Sequence, residues 1–568
     1  MERSSERPAG RPPRSALLGL RRRTWSVFAL VAGALPLSIL AGSTPAISDS
    51  SPQPFCARLG HSIQASTGAH LFCDAQTGTR PMGRPGAGGQ ASSSATAPPV
   101  GAGPNPVFDN NADAANPAED VTPAQAQLYG QSETSIAALG SFAVEAWNDS
   151  TGFAATCPAP QSKEELTGFG FSSDGGVTFT DQGGVPNPAC GTTGYLLFGD
   201  PSVEVWRHGN KTYFYISSLY DNFTDPTAPF ELAINACVVN GTTISCNAPV
   251  VAALGGCTVT PKGTFCADFL DKEFLAIDPD RARLYMSYTD FRGSTGSGTG
   301  EIDLVSCDIS KPLAPACSPS PVVIAPEDPL CESEGAYPAV DPQSGDVYVA
   351  WEFNWFTNIF FPLCFNTPTV NKLARVPYKA TAPSITISAP VVSMTAAFVP
   401  GYNRFPASDF PRIAVSDASS TVSIVWNDAR RVPTGDILLQ SYELKLLKAV
   451  QSAPVRLNSD TSFTWRFLPA LRNATSAGRL NVSWYDRRGQ SGAATNVWAA
   501  RNVDPRTTST PASNVKVTNT ATDWNAVSSD IIPNFGDYTD NYVDGTTLYV
   551  AWSDGRMGLP QPFASKQP

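Results

Sequence analysis

Four short segments of the chain end in an aspartate and an arginine two residues apart. A guanidinium beside a carboxylate can recognise the carboxylate of a substrate, or the two groups can pair with each other. Catalysis needs an asymmetric set of groups, so fourfold repetition favours a role in packing between repeats. The segments are Tyr288-Thr-Asp290-Phe-Arg292, Trp426-Asn-Asp428-Ala-Arg430, Trp484-Tyr-Asp486-Arg-Arg488 and Trp552-Ser-Asp554-Gly-Arg556.

Acidic residues also stand ahead of several short β-type runs. Carboxylates and carbonyls are the ligands that Ca²⁺ prefers, so one interpretation is a saccharide or calcium site at a channel mouth. The other is that each acid caps its own turn or pairs with an arginine of a neighbouring repeat. With three histidines and no Cys-x-x-Cys in the chain, zinc and histidine-based catalysis are disfavoured. The acids are Asp200, Asp271, Glu332, Glu334, Asp409 and Asp537, the last followed by Tyr538.

The elements that would position these residues are β-strands arranged in repeats. From residue 126 onward, short apolar runs alternate with Gly, Asn, Asp and Pro turns, and helical periodicity is almost absent, which predicts an all-β domain. Seven copies of one unit can be aligned, and each leaves room for four strands. This is typical of a β-propeller, with seven blades preferred and six as the alternative. Because little chain follows the last copy, we expect a strand from within residues 104–129 to close the ring.

A turn in the first repeat carries a recognisable motif. Ser172-Ser-Asp174-Gly-Gly176-Val-Thr178-Phe179 fits the Asp-box pattern, in which the aspartate accepts backbone N–H bonds across a tight hairpin and the glycine takes a positive φ. The aromatic residue packs back into the blade. Together with the repeats, the motif resembles the sialidase-like superfamily with bacterial neuraminidase repeats.

The resemblance implies a set of catalytic roles. Sialidases of this fold bind a substrate carboxylate with three arginines and use a tyrosine nucleophile, a helper glutamate and an aspartate as acid/base. On this sequence the nucleophile would be Tyr538, the helper Glu334, the acid/base residue Asp271 or Asp537, and the carboxylate would be bound by Arg412, Arg466 and one of Arg430 or Arg556. The Arg-Ile-Pro sequence expected before the first Asp-box is absent. Binding without catalysis is therefore preferred, and an exo-acting glycoside hydrolase of sialidase type is the alternative.

The N-terminal part has a different character. Residues 1–46 contain an arginine-rich start, an apolar run and small residues, the layout of an export signal, with an uncleaved membrane anchor as the alternative. Residues 47–125 are predicted to form a small disulfide loop and a Gly/Pro/Ala/Ser-rich linker. Residues 126–568 hold the propeller. The protein is thus expected to be secreted.

Cysteines and charge agree with export. Twelve cysteines in an exported chain favour disulfides between sequence neighbours. A net charge of −11 repels phosphate backbones, so we expect a glycan or an extracellular protein as partner and no nucleic acid. Oligomeric state stays open. The predicted pairs are Cys56/Cys73, Cys157/Cys190, Cys237/Cys246, Cys257/Cys266, Cys307/Cys317 and Cys331/Cys364.

Overall fold

Residues 105–567 form an all-β structure in the computed structural model. Gaps in the described chain fall at 106, 122–126, 155–164, 189, 223–224, 226, 262, 267, 293–298, 354–369, 384, 389–398, 404–409, 530 and 532. The predicted export signal, the Cys56–Cys73 loop and most of the linker lie outside the described residues. Helical structure within them is limited to the four-residue helix Cys190–Thr193 and the two 3₁₀ turns Ser150–Ala154 and Trp524–Ala526.

The strands assemble into seven antiparallel sheets, which we call blades and number along the chain. Before blade 1 come β1 (Val107–Phe108) and β2 (Asn111–Asp113). Blade 1 contains β3 (Gln131–Leu139), β4 (Phe142–Asp149), β5 (Thr167–Ser172) and β6 (Thr180–Gly184). Blade 2 contains β7 (Leu196–Leu197), β8 (Ser202–His208), β9 (Lys211–Asp221), β10 (Glu231–Asn240), β11 (Thr243–Cys246) and β12 (Val250–Leu254). A separate hairpin, β13 (Cys257–Thr260) and β14 (Gly263–Cys266), follows.

The next three blades repeat the same up-and-down order. Blade 3 contains β15 (Asp268–Asp278), β16 (Arg283–Arg292), β17 (Glu301–Asp308), β18 (Ala316–Cys317) and β19 (Val322–Ala325). Blade 4 contains β20 (Ser333–Val340), β21 (Val347–Phe353), β22 (Val370–Val376) and β23 (Ile385–Ser388). Blade 5 contains β24 (Arg412–Ser416), β25 (Thr421–Asp428), β26 (Asp436–Glu443) and β27 (Val455–Arg456).

Blade 7 joins the two ends of the ring. Blade 6 contains β28 (Arg466–Ala470), β29 (Leu480–Asp486), β30 (Ala494–Val503), β31 (Val515–Lys516) and β32 (Thr522–Asp523). Blade 7 contains β33 (Asp540–Asp544), β34 (Thr547–Asp554) and β35 (Gln561–Gln567), and β2 pairs with β35 as its outer strand. The closing strand therefore lies within the stretch where the sequence placed it. Contacts run from each blade to the next and return from β33 to β3, so the predicted seven-bladed propeller is confirmed.

Large aromatic side chains fill the blades at the end of the second strand. In five blades this side chain is a tryptophan that is at most 1% exposed. The alternation of apolar residues along the strand points the tryptophan into the interface between neighbouring blades. Tyr220 and Tyr288 hold the matching places in blades 2 and 3 and are also buried. The tryptophans are Trp147, Trp351, Trp426, Trp484 and Trp552.

The inner strands carry a bulge near their first residues, and this bulge controls what reaches the propeller axis. The pairing register shifts at this point in blades 1, 3, 4 and 6. A residue with positive φ stands at or beside the bulge, where extra backbone turns a side chain out of the regular pleat. The positive-φ residues of the inner strands and their lead-in loops are Glu133, Asp200, Lys272, Gly335, Leu468 and Gly536.

The topology also defines two faces. The loops into the first strand and between strands two and three share the front face, and the turns between strands one and two and strands three and four share the back face. The Asp174 turn joins β5 to β6 and is thus on the back. Asp174 Oδ1 accepts the N–H groups of Val177 and Thr178, both at 3.0 Å, and Gly176 has a φ of +79°. Phe179 is 1% exposed, so this turn has the local geometry that the motif predicts.

Three of the predicted disulfides are present in the outer hairpins. Cys237–Cys246, Cys257–Cys266 and Cys307–Cys317 each join neighbouring antiparallel strands. Cys190 and Cys331 are also disulfide-bonded, and their predicted partners Cys157 and Cys364 lie outside the described residues. No helix in the described ranges is long and apolar enough to span a bilayer.

Candidate functional site: the propeller axis

Four charged side chains from four blades meet on the axis at the front end. Lys272 Nζ lies 2.8 Å from Asp200 Oδ2, 3.1 Å from Asp537 Oδ2 and 3.9 Å from Glu133 Oε1. All four side chains are 0% exposed. We call these residues the axial cluster. A buried cation shared among carboxylates offsets charges that would otherwise be costly to remove from water.

Backbone and amide groups hold the axial cluster in place. Asn148 Oδ1 accepts the Asp200 N–H at 2.6 Å, and the Asn148 amide donates to both Asp200 and Glu133. Glu133 Oε1 accepts the Asp537 N–H at 3.1 Å, and the Tyr402 hydroxyl donates to Asp537 Oδ1 at 3.1 Å. Blades 1, 2, 3 and 7 are thereby joined through hydrogen bonds as well as charge.

The protonation states of the axial cluster follow from burial and from the lysine. Burial alone would lower the pKa of Lys272, but Asp200, Glu133, Asp271 and Asp537 outweigh it and raise the pKa well above its usual value. Burial likewise raises the pKa of Glu133, helped by Asp200, whereas Lys272 brings the pKa of Asp200 below its usual value despite burial. The cluster is built around a permanently charged ammonium.

A second layer beneath the axial cluster is a stack of rings around one guanidinium. The Arg412 guanidinium carbon lies 4.2 Å from the ring centre of Tyr337, 5.0 Å from that of Phe274 and 5.5 Å from that of Tyr538. Its Nη2 donates to the Thr539 carbonyl, and Nη1 is buried without a hydrogen-bond partner among the described residues. Cation–π contacts in a buried site thus hold the arginine in the middle of the channel.

Tyr538 belongs to the same layer and is enclosed. Its side chain is 3% exposed and its hydroxyl donates to the Pro201 carbonyl at 3.2 Å. Burial, with Asp200 and Glu133 nearby, raises the pKa of Tyr538 well above its usual value. A phenol in this setting stays protonated and is a poor nucleophile.

A third layer is formed by Arg472. Its guanidinium donates to Asp540 Oδ2 at 2.9 Å, to Glu204 Oε1 at 3.1 Å and to the Tyr337 hydroxyl at 3.0 Å. It is 6% exposed, and it also donates to the Val203 carbonyl at 2.6 Å. Three layers of charged and aromatic side chains therefore fill the described part of the channel.

The Asp-x-Arg segments of blades 5, 6 and 7 act as clasps within their own blades. In blade 6 the Trp484 Nε1–H donates to Asp486 Oδ2 at 2.8 Å, and Arg488 Nε donates to the same oxygen at 2.9 Å. The same indole-to-carboxylate bond occurs at 3.0 Å in blade 5 and 2.8 Å in blade 7, where Arg430 and Arg556 pair with Asp428 and Asp554.

The structure brings together some of the residues assigned to catalysis and separates others. Tyr538, Asp537 and Arg412 lie on the axis, and Asp271 acts electrostatically on Lys272 and on Glu334. Arg466 instead contacts Asp460, Asp436 and Asp486 at the clasp of blade 6. With Arg430 and Arg556 also held in clasps, the described residues do not form a three-arginine site around Tyr538.

Sequence reasoning missed the centre of the site. Lys272 lies between two acidic residues and Arg472 lies in an apolar stretch, so neither stands out in the sequence, and their partners come from other blades. Lys272 does have a signal: when the repeats are aligned at their bulges, it takes the positive-φ place that Glu133 holds in blade 1 and Gly335 holds in blade 4, and Glu133 is also in the axial cluster. Lys272 can therefore be identified by its position in the repeat, whereas its residue type gives no signal.

One acidic trio in the described residues has metal-ligand spacing, and it lies off the axis. Carboxylate oxygens of Asp290, Glu301 and Asp303, at the front ends of β16 and β17, lie within 4.8 Å of one another. Asp290 Oδ1 and Asp303 Oδ1 are buried without hydrogen-bond partners. Arg292 Nε lies 3.4 Å from Asp290 Oδ2 and neutralises part of the charge. Such a donor set suits a hard cation such as Ca²⁺.

Comparisons with known proteins find likeness in fold. No protein-family model and no curated protein matches the sequence. The chain is similar to an α-L-arabinofuranosidase from Fusarium graminearum at 13% identity and TM-score 0.40, covering 81% of this chain and 97% of that one. It is similar to a Hadza microbial sialidase at 11% identity and TM-score 0.36, covering 62% and 63% of the two chains.

A Trypanosoma rangeli sialidase is also similar, again at 11% identity and TM-score 0.36. The match covers 69% of this chain and 55% of the sialidase, so the chain spans only about half the length of that protein. Sialidases are thus among the structures that the chain is similar to, as the sequence resemblance predicts. Likenesses of this size assign no activity to it.

Proposed function

We propose that this protein is an exported, sialidase-like propeller that binds a glycan or an extracellular protein on its front face without catalysis. The observation that carries the proposal is the commitment of the candidate catalytic groups to internal contacts. Tyr538 donates to a backbone carbonyl, and Arg430, Arg466 and Arg556 are held by aspartates. A glycosidase needs these groups at the surface of a substrate-sized site.

The filled channel supports the same proposal. The buried ion pairs of the axial cluster build a rigid floor, and a rigid floor suits loops that present polar groups for recognition. On the front rim of blade 5, the side chains of Arg430 and Arg431 are 40% and 44% exposed. Arg430 pairs with Asp428 and Arg431 with Asp436, and a polar ligand would contact the exposed part of each side chain.

One observation favours the alternative, an exo-acting glycoside hydrolase with a tyrosine nucleophile. Arg412 Nη1 is buried without a hydrogen-bond partner among the described residues, and its guanidinium lies beside the Tyr538 ring. That nitrogen is free to meet a substrate carboxylate if the channel opens during turnover.

Turnover assays separate the two functions. The mature protein is incubated with a fluorogenic sialoside and a panel of aryl glycosides, in parallel with Tyr538→Phe. We expect no turnover by either form. Turnover by the wild type that is lost in Tyr538→Phe, with its melting temperature retained, would overturn the binding proposal and establish the hydrolase.

Binding is measured separately, on a glycan array and by capture of candidate extracellular proteins at known concentration. Arg430→Ala combined with Arg431→Ala should weaken binding, because both guanidinium groups are on the front rim. Arg506→Ala is the matched control, since Arg506 forms an exposed pair with Glu443 at 2.9 Å beside a back-face turn. Loss of binding in the control but not in the front-rim variant would contradict front-face recognition.

A further inference from the structure

A cavity opens between blades 3 and 4 on the opposite side of the molecule from the axial cluster. It has a volume of about 200 Å³ and is lined by the first residues of β16 and β21 and by the turn after β22, all of which belong to the back-face end of their blades. The buried floor is the apolar interface between the two blades, including Tyr285, Leu304 and Val347.

The charge of this cavity is opposite to that of the chain. Two of its thirteen lining residues, Arg283 and Lys379, are cations, and none is acidic, whereas the whole chain carries a net charge of −11. Arg281 lies beside the cavity with its guanidinium 5.2 Å from the Tyr378 ring centre, but it pairs with Asp278 at 2.9 Å and donates to the Pro342 carbonyl, so Arg283 and Lys379 carry the charge of the lining. A lining of this kind attracts an anion.

The two cations in the lining, Arg283 and Lys379, make only weak contacts. Arg283 Nη1 lies 3.4 Å from Asp308 Oδ2, and both side chains are about one-third or more exposed, so this contact is weak. Lys379 lies 5.1 Å from the Tyr378 ring centre. Both side chains can turn toward a bound carboxylate without breaking a buried pair.

The rest of the lining indicates what the anion is attached to. The lining combines aliphatic side chains and Tyr378 with three serines, Ser306, Ser318 and Ser320, and the Ser318 hydroxyl donates to the Ser320 carbonyl at 2.8 Å. A bare phosphate or sulfate ion has no apolar surface to contact the aliphatic and aromatic part of this lining. A pyranose has an apolar face for an aromatic or aliphatic wall and hydroxyls for serines.

We propose that this cavity, which we call the interblade pocket, binds a single acidic sugar residue, with the sugar carboxylate at Arg283 and Lys379 and the ring against Tyr378. Its volume of about 200 Å³ is below the roughly 300–1,000 Å³ of drug-sized sites, so it holds one ring. The site is separate from the front face and does not depend on whether the front face binds or hydrolyses anything.

The test is calorimetric titration of the full mature chain with D-glucuronate, D-glucose and inorganic phosphate. We expect glucuronate to bind, and glucose to bind about tenfold or more weakly because it lacks the charged group. Phosphate should not displace glucuronate at equal concentration. Arg283→Gln and Lys379→Gln should each weaken glucuronate binding by about fivefold to tenfold.

Three further variants make the result specific. Ser318→Phe introduces a bulky ring into the lining of the interblade pocket without removing a charge and should abolish binding. Lys211→Gln removes an exposed cation on the back face of blade 2 and should leave it unchanged. The combined Arg430→Ala and Arg431→Ala variant should also leave it unchanged, which keeps this test independent of the front face.

The outcomes that overturn the proposal are distinct. Equal affinity for glucose and glucuronate removes the role of the cations. Displacement by phosphate at equal concentration shows a simple anion site. No glucuronate binding, or binding that Arg283→Gln, Lys379→Gln and Ser318→Phe all leave intact, shows that the interblade pocket is not the site.

Discussion

Lys272 is the residue on which the charge balance at the propeller axis depends. It is fully buried and contacts carboxylates from blades 1, 2 and 7. Its positive φ of 60° directs the side chain to the axis, an uncommon conformation for a residue with a Cβ. A residue in this position joins distant parts of the ring through one ammonium group.

Replacing Lys272 with Met should therefore be severely destabilising. The aliphatic part of the side chain is retained, but Asp200, Asp537 and Glu133 lose their shared cation while still buried. Removing one partner of a buried ion pair lowers the free energy of unfolding by about 3–5 kcal/mol. Denaturant unfolding monitored by tryptophan fluorescence measures the change. Lys211→Met, at an exposed site, should change stability by less than about 0.5 kcal/mol; similar effects of the two substitutions would mean that the axial charges are solvated.

Glu165 should make stability fall as pH rises. Burial raises its pKa to about 8, although the carboxylate accepts the Leu197 N–H at 3.2 Å. The unfolded chain has a glutamate pKa of about 4.3, so between these values the folded state holds a proton that the unfolded state has lost. Folding is therefore penalised increasingly from about pH 4.3 to pH 8, and the penalty is constant above that.

Glu165→Gln removes this dependence while keeping an oxygen acceptor. We expect the variant to lose less stability than the wild type between pH 5 and pH 9, by on the order of 2–4 kcal/mol, in melting curves recorded across the range. Asp280→Asn, at an exposed turn, is the control and should follow the wild type. Parallel curves for Glu165→Gln and wild type would show that Glu165 is ionised in the folded protein.

At the scale of the element, the clasp explains why the same five-residue pattern recurs. The carboxylate of Asp486 receives an indole N–H, the Arg488 side chain and the Arg488 backbone N–H at 2.8 Å. It therefore ties the end of the second strand to the loop that leaves it. The aromatic residue, the acid and the arginine form one structural unit, and this explains their fixed spacing.

Asp486→Ala should cost about 3 kcal/mol, because a buried indole N–H and the Arg488 guanidinium lose their acceptor and Arg466, 3.6 Å away, loses an ion-pair partner. Glu443→Ala is a matched control, since Glu443 pairs with Arg506 at 2.9 Å but the pair is about 40% exposed. Its loss should cost at most about 1 kcal/mol. Urea midpoints for both variants measure the difference, and equal costs would mean that the clasp is not a buried network.

We expect calcium to bind the acidic trio of blade 3, which is formed by Asp290, Glu301 and Asp303. We expect millimolar Ca²⁺ to raise the melting temperature by a few degrees and a chelator to reverse the rise. Asp303→Asn should remove most of the response, whereas Asp308→Asn, with a side chain 40% exposed, should not. A melting temperature that Ca²⁺ does not change, or a response to Ca²⁺ that persists in Asp303→Asn, would show that the blade 3 trio is not a calcium site.

Across the whole molecule, ring closure rests on β2. Its residues pair with β35, and Ala112, Ala114 and Ala115 are almost fully buried. A chain that starts at residue 117 should be less stable than one that starts at residue 105, by on the order of 3–6 kcal/mol from lost ladder hydrogen bonds and buried methyl groups.

Adding a synthetic peptide of residues 105–117 in excess should restore part of the lost stability, because it can occupy the free edge of β35. Thermal melts with and without the peptide measure this. If the shorter chain melts like the longer one, β2 does not close the ring.

The architecture could be predicted from the sequence because every blade repeats one local pattern. Trp426, Trp484 and Trp552 mark strand ends, which can be recognised without knowing any distant contact. Cysteines that are neighbours in sequence, such as Cys237 and Cys246, lie directly opposite each other in a hairpin. The axis could not be predicted in the same way. Lys272, Arg472 and Asp540 meet there from blades 3, 6 and 7, and only closure of the ring brings them together.

Closure also sets an order of events during synthesis. Ser565 donates a hydrogen bond to the Asn110 carbonyl, and the two residues are 455 positions apart. Six blades can therefore form before the strand that joins them to β2 has been made, and for that interval the protein is an open arc with two bare strand edges. Chaperone binding and proteolysis should be greatest in that interval, and a stop codon in the last blade should harm the protein more than most substitutions elsewhere in it.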